Sequence, residues 1–238
     1  MSVSEANATE ANVSQKGHVF GPTQLRYGTL RRARDGFGRR GSVLAVRVAT
    51  WNVNSVKQRV PRLLPWLDQR QPDVVCLQET KLADDAFRGL LGDELDGRGY
   101  EIALHGEAQW NGVAILSRVG LDDVVIGIPG APGFPHPEAR AVAATCGGTR
   151  VHSIYVPNGR APNSEHYHYK LSWLAALREM VAADPPATIV CGDMNIAPTD
   201  ADVFDPNAYM GQTHVTPSER AALARLQAVG PGPPVPKE

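Results

Sequence analysis

The segment Cys191-Gly192-Asp193-Met194-Asn195-Ile196-Ala197-Pro198 places a carboxylate and a carboxamide two residues apart, where the apolar run Thr188-Ile189-Val190 gives way to Gly192. Side chains on an extended segment alternate faces, so Asp193 and Asn195 would point the same way from a strand end. An acid and an amide at such a mouth can steer a proton and hold an oxyanion. The same pair also occurs in ordinary turns, where Asp and Asn bond their own backbone. Three more candidate strand ends finish in polar groups. Trp51-Asn52-Val53-Asn54-Ser55 offers Asn52, Leu77-Gln78-Glu79-Thr80-Lys81 offers Glu79, and Tyr155-Val156-Pro157-Asn158-Gly159 offers a phenol ahead of a turn. Singly, each has an ordinary reading: Asn52 in a turn, Glu79 in a surface ion pair, Tyr155 as a strand aromatic. Together at strand ends they are the groups a metal-assisted phosphoester hydrolase would use. Carboxylate and carboxamide oxygens suit magnesium, a hard cation that keeps much of its water, whereas the lack of Cys and His at these positions disfavours zinc.

The elements that must position these groups follow from apolar patterning. Val43 to Trp51 reads as a first core strand and Asp73 to Gln78 as a second, buried one. Between them, Val60, Leu63, Leu64 and Leu67 have helical spacing, with Pro61 and Pro65 calling for an early-turn start or a kink. Glu101–Leu104, Gly112–Ser117, Ala139–Thr145 and Arg150–Val156 are further strand candidates, which with few helices between them read as antiparallel neighbours. Ser164 can cap a helix bearing Leu171, Leu174, Leu177 and Val181, stopped by Pro185-Pro186, and Thr216 can cap a last helix from Ala221 to Val229.

A chain of 238 residues, 42% of them hydrophobic, can bury a proper core in one domain, taken here as residues 45–229. Residues 1–44 lack apolar periodicity and carry seven basic against three acidic residues, which reads as a disordered basic extension of net +4 and leaves the rest at −5. A nucleic-acid arm and a plain solvated tail are its two readings. Residues 230–238 form a Pro-rich tail that cannot extend a helix. The net charge of −1 offers a polyanion no global attraction and argues against a histone-like binder. Cys76, Cys146 and Cys191 lie in apolar runs and read as reduced, buried thiols; with no membrane-length apolar run and no signal-like N-terminus, a cytoplasmic location is expected.

These blocks spell out a family. Pro72-Asp73-Val74-Val75-Cys76-Leu77-Gln78-Glu79-Thr80-Lys81 closely resembles the first signature of exonuclease III-type abasic-site endonucleases. Trp51–Ser55, Trp110-Asn111-Gly112-Val113-Ala114-Ile115-Leu116-Ser117, Tyr155–Gly159 and Gly192–Pro198 resemble its other blocks in order. The resemblance implies a four-layer α/β sandwich of two mostly antiparallel sheets, DNase I-like, with helices outside. It implies that Asn52 and Glu79, with Asp193 and Asn195, form the shell of a magnesium or manganese ion. Asp193 would orient or deprotonate the attacking water or donate a proton, Asn195 would stabilise the transition state, and Tyr155 would contact the phosphate or leaving oxygen. The reaction implied is hydrolysis of a DNA phosphodiester 5′ to an abasic site or at a 3′ end, by a monomeric DNA-repair nuclease with no membrane partner.

The family's Thr-Trp-Trp block, its Arg-Ile-Asp strand and its Asp-His pair, which supplies the general base, do not occur here. The resemblance therefore implies a fold incomplete at the C-terminus, a truncated or frameshifted member, and turnover reduced by about 10²–10⁴ for the base alone. Alternatives are an inactive DNA-binding protein keeping half the site and a phosphatase of the same superfamily. The base role is not transferred to His214. His166 and His168, diverging at a helix start, are poor metal ligands, and Lys170 reads either as reaching DNA phosphate or as a solvated lysine lying over apolar neighbours.

Overall fold

The computed structural model describes residues 26–30 by their backbone, and residues 46–185 and 187–229 in full. Two sheets meet face to face. The five-stranded sheet runs in the order β1 (Arg26–Leu30), β2 (Val46–Asn52), β3 (Val74–Gln78), β5 (Val113–Ser117), β4 (Glu101–His105). The four-stranded sheet runs β6 (Asp122–Ile126), β7 (Ala141–Cys146), β8 (Thr149–Tyr155), β9 (Thr188–Asp193). Helices α1 (Val56–Arg70) and α2 (Asp84–Asp96) cover the first sheet; α3 (Glu165–Ala182) and α4 (Pro217–Gln227) cover the second. This is the four-layer α/β sandwich expected from the sequence.

Period-two alternation sorts the side chains into layers. On β3, Val75 and Leu77 join Leu63, Leu67, Phe87, Leu91 and Leu95 in the core under α1 and α2. Val74 and Cys76 turn the other way, into the core between the sheets with Val48, Ile115, Val142, Val151 and Cys191. Ile154 packs outward on Trp173, Leu174, Leu177, Leu223 and Leu226. All three cysteines are free and buried, in accord with their reading as core thiols.

Near the strand ends the inter-sheet core turns polar. Gln78 Nε2 donates to Ser153 Oγ across the sheets at 3.1 Å, Ser153 Oγ donates to the Leu77 carbonyl at 3.2 Å, and Thr50 Oγ1 donates to Gln78 Oε1 at 3.3 Å. Each member is at most 7% exposed, so each bond answers a group that water cannot reach.

Helix α1 spans Val56–Arg70, the segment whose spacing predicts it, and carries Pro61 and Pro65 in its interior. Both prolines are four residues apart on the solvent-exposed side, where water can satisfy the carbonyls their rings leave unbonded. The candidates read as antiparallel neighbours pair so, β4 with β5 and β7 with β8, while β2–β3 and β8–β9 are parallel, joined by the crossover helices α1 and α3. Residues 26–30, placed within a disordered arm, pair antiparallel with β2 by backbone bonds, which do not depend on an apolar run. The remainder of that arm and the Pro-rich tail lie outside the described residues. Helix α2 and strand β6 were not anticipated; α2 is short, and only Phe87, Leu91 and Leu95 mark its buried face. Among the described residues, no helix is long and apolar enough to cross a membrane.

Replacing Gln78 by Leu should strand the Thr50 and Ser153 hydroxyls and cost about 2–3 kcal/mol. Urea denaturation measures it, and a loss below about 0.5 kcal/mol would mean that the bridge is dispensable.

Candidate active site

The register carries the polar groups to one place. In β2, Thr50 and Asn52 alternate with Trp51, which packs toward the helices; in β8, Val151, Ser153 and Tyr155 share the inward face; in β9, Cys191 and Asp193 do. Asn52 stands opposite Gln78 and Tyr155 opposite Asp193 in the parallel pairs, so two strand ends of each sheet terminate side by side.

One carboxamide connects them. Asn52 Nδ2 donates to Glu79 Oε1 at 2.7 Å and to Asp193 Oδ2 at 2.9 Å. Its orientation is set because Asn52 Oδ1 accepts from the Asn54 N–H at 3.0 Å. Glu79 also pairs with Lys81, 3.0 Å away, which in turn donates to Asn54 Oδ1. Burial pushes Glu79 up, but the Asn52 bond and the Lys81 ammonium outweigh it and hold this carboxylate below its usual range. Burial dominates at Asp193 and, with the Glu79 charge, raises it despite bonds from the Asn195 N–H and Asn52. Two neighbouring carboxylates pushed in opposite directions are the pattern of a permanently ionised group beside a proton-transfer group. The Tyr155 phenol is raised by burial first and then by the charge of Glu79.

The backbone around these groups is unusual. Asn54, Ser55, Glu79, Lys81 and Asn195 all have positive φ, sparsely populated for residues with side chains. Such conformations persist only where surrounding bonds over-determine them, and here those bonds are visible. Ser55 and Val56 donate to the Glu79 and Thr80 carbonyls, and Thr80 and Lys81 donate to those of Gly112 and Asn111. Gly192 has φ 145° and sits where an added Cβ would lie 1.9 Å from the Ile154 carbonyl oxygen, so only glycine lets β9 run this close to β8 just before Asp193.

Asp193 and Asn195 do not continue as alternating strand positions, as their spacing suggested. β9 ends at Asp193, Asn195 turns left-handed at φ 48°, and its N–H donates to Asp193 Oδ1 at 3.0 Å. Asn195 Nδ2 donates to the Val156 carbonyl at 2.8 Å. The turn reading thus holds, and the turn is what brings Asn195 to β8.

Arg140, which sequence reasoning missed, supports Tyr155. Its guanidinium lies 4.9 Å from the centre of the Tyr155 ring, donates to the Tyr155 carbonyl at 3.3 Å and forks onto Glu138 at 2.8 and 3.1 Å. Glu138 also accepts from the Tyr169 hydroxyl at 2.7 Å, while Asn111 Nδ2 donates to Glu107 at 2.9 Å. Asn111 thereby sits in a turn fastened to the site loops, and Trp110 beside it is two-thirds exposed at 67%. An arginine alternating with alanines in Ala139-Arg140-Ala141 was the only signal. Lys170 fits neither sequence reading: its side chain is fully buried in an ion pair with Glu219. His166 packs edge-on against Phe134 and Tyr169, and no histidine among the described residues joins the Asn52–Glu79–Asp193 cluster.

The donor set suits a hard divalent cation in kind. Glu79, Asp193 and Asn195 Oδ1, which accepts no hydrogen bond among the described residues, are oxygen donors; Asn52 turns its Nδ2 to the carboxylates and its Oδ1 to the Asn54 N–H, so its oxygen would reach an ion only after the amide rotates. Among the described residues no group of three or more His, Cys, Asp or Glu is placed to hold a metal ion; the oxygen set here has two carboxylates.

Comparisons with known proteins agree with this architecture. The model of the endonuclease/exonuclease/phosphatase family matches residues 49–236. An exodeoxyribonuclease of Bacillus subtilis is 26% identical over 191 residues, 78% of this chain and 72% of that protein. Among solved structures, the 3′ phosphatase NExo from Neisseria, bound to a product DNA hairpin, is 37% identical with a TM-score of 0.71, covering 77% of this chain and 70% of its own. An AP endonuclease from Archaeoglobus fulgidus is 33% identical with a TM-score of 0.70, at 77% and 70% coverage.

Arg140→Met should cost about 1–2 kcal/mol at pH 7, because it leaves the partly buried Glu138 without its cation. Burial raises Glu138, but Arg140, Tyr169 and Asn111 outweigh it and hold the carboxyl below the usual 4.5. A depressed carboxyl contributes stability that is full above its unfolded value and lost as pH falls through its folded one. The gap between wild type and variant should therefore narrow on acidification below about pH 4.5, and a pH-independent gap in urea midpoints would contradict this.

Proposed function

Because the chain belongs to the endonuclease/exonuclease/phosphatase family, we propose that it is a DNA-repair nuclease hydrolysing phosphodiesters 5′ to abasic sites or at 3′ ends. The observation that carries this reading is Asn52 held between Glu79 and Asp193, which gathers oxygen groups from both sheets at one strand-end cluster. Relatives whose names specify exodeoxyribonuclease and AP endonuclease activity support the DNA substrate.

In this reading Glu79, Asn52, Asp193 and Asn195 hold a divalent cation, magnesium or manganese. Such an ion, when bound, stabilises charge on the phosphoryl oxygens. Asp193, raised by burial, orients water and takes its proton as the oxygen attacks phosphorus. The Asn195 carboxamide, fixed through its bond to Val156, faces charge developing in the five-coordinate state. The Tyr155 hydroxyl contacts the phosphate or the leaving 3′ oxygen. The products are a 3′-hydroxyl and a 5′-phosphate.

A second reading, removal of a terminal 3′-phosphate, is favoured by one observation: the 37% identity to the Neisseria enzyme described as a 3′ phosphatase. Both readings use the same residues and expel the same 3′ oxygen; they differ in whether the phosphoryl group under attack also carries a downstream nucleotide.

The test is incubation of the purified chain with a duplex carrying one abasic site and, separately, with one ending in a 3′-phosphate, each with magnesium, manganese or chelator. Metal-dependent cleavage on the 5′ side is expected. Asp193→Ala should lower it about 10²–10⁴-fold and Asn195→Ala about 10²–10³-fold. Release of phosphate alone would favour the second reading. DNA binding with no turnover above the Asp193→Ala background would establish a non-catalytic DNA-binding protein.

A further inference from the structure

We infer that Lys170 is a positioning residue, and Glu219 through it: together they hold the backbone carrying Asn195 and the backbone following Tyr155 in register for the reaction. This deepens the hydrolytic reading and rests on it for its kinetic arm only.

An ammonium has three protons, and Lys170 Nζ has three acceptors. They are Glu219 Oε1 at 2.5 Å, the Asn195 carbonyl at 2.6 Å and the Asn158 carbonyl at 3.2 Å. One side chain on α3 thus grips both loops that leave the parallel pair β8–β9 at the site. Glu219, on α4, fixes the ammonium in turn. Its Oε1 accepts from Thr213 Oγ1 at 2.7 Å and the His214 N–H at 3.0 Å, and its Oε2 from the Thr216 N–H and hydroxyl at 3.1 and 2.8 Å. Both charged side chains are 0% exposed.

Two facts separate this from ordinary core packing. A fully buried ion pair gives no net stability advantage over an apolar pair of similar volume, so folding alone does not require a cation here. The carbonyls do require a donor, because Asn195 stands in a left-handed conformation and both its N–H and its C=O are pinned, to Asp193 and Lys170 respectively. Releasing the carbonyl frees the peptide that orients the Asn195 carboxamide toward Val156 and its N–H toward Asp193.

The test is the charge-free pair Lys170→Met/Glu219→Gln, in which glutamine can keep the capping bonds of α4. Its melting temperature should fall by about 5–10 °C, because two buried carbonyls lose their donor, while at a temperature where the variant stays folded kcat on the abasic duplex falls at least about tenfold and KM changes less than about threefold. Hydrogen exchange should quicken in Val156–Gly159 and Asp193–Ala197 and nowhere else in the core. Glu219→Gln alone, which removes the carboxylate that fixes the ammonium but leaves the ammonium its two carbonyls, should lower kcat by an intermediate amount. Should the methionine pair fail to fold, Lys170→Gln/Glu219→Gln, whose residue-170 amide still offers two donors, should restore both folding and protection of the two loops. A stable charge-free variant with wild-type turnover and wild-type exchange would overturn the inference. A wild-type chain that cleaves nothing would refute the hydrolytic reading instead, and loop exchange would still decide whether Lys170 positions.

Discussion

Three hydrogen bonds in the dark interior between the sheets, joining Thr50, Gln78 and Ser153, set the relative position of everything above them. Apolar layers slide over one another at little cost, since dispersion contacts are many and undirected. A buried amide has no such freedom, because each displaced bond leaves a desolvated donor or acceptor. Gln78 immediately precedes Glu79, Ser153 lies two residues before Tyr155, and Thr50 two before Asn52. The bridge therefore indexes the strands one or two residues below the groups at the strand ends. In a sandwich whose two halves of the site come from different sheets, that index determines whether Asn52 reaches Asp193 at all.

The site groups were legible in the sequence because strand ends are punctuated. Asn52, Glu79, Tyr155 and Asp193 each follow an apolar run and precede a turn-forming or irregular stretch, and alternation places them with the inward core residues. Family-like motifs then supplied a chemical role that spacing alone left open. The layers were legible for the same reason, and the caps Ser164 and Thr216 were found where hydroxyls precede a helical pattern, each accepting from the N–H three residues on.

What the sequence hid depends on partners distant in the chain. Nothing around Lys170 announces that Glu219, forty-nine positions later, will enclose it, and a lysine in an amphipathic helix ordinarily lies at the surface. Arg140 was masked by its alanine neighbours for a like reason. Strand β1 is held by backbone bonds, to which side-chain patterning is blind. The helix tolerates the prolines of α1 because both occupy its wet face, and that orientation follows from packing, not from the residue type.

The bond from Asn52 to Asp193 spans 141 residues of sequence. Two parallel crossovers, one through α1 and one through α3, must be complete before the two strand ends lie alongside, and each demands loop closure ahead of any contact that rewards it. The cluster is therefore a late event on the folding route. Partly folded species, with either sheet formed but not docked, hold Asn52 and Glu79 without Asp193, or Asp193 without them.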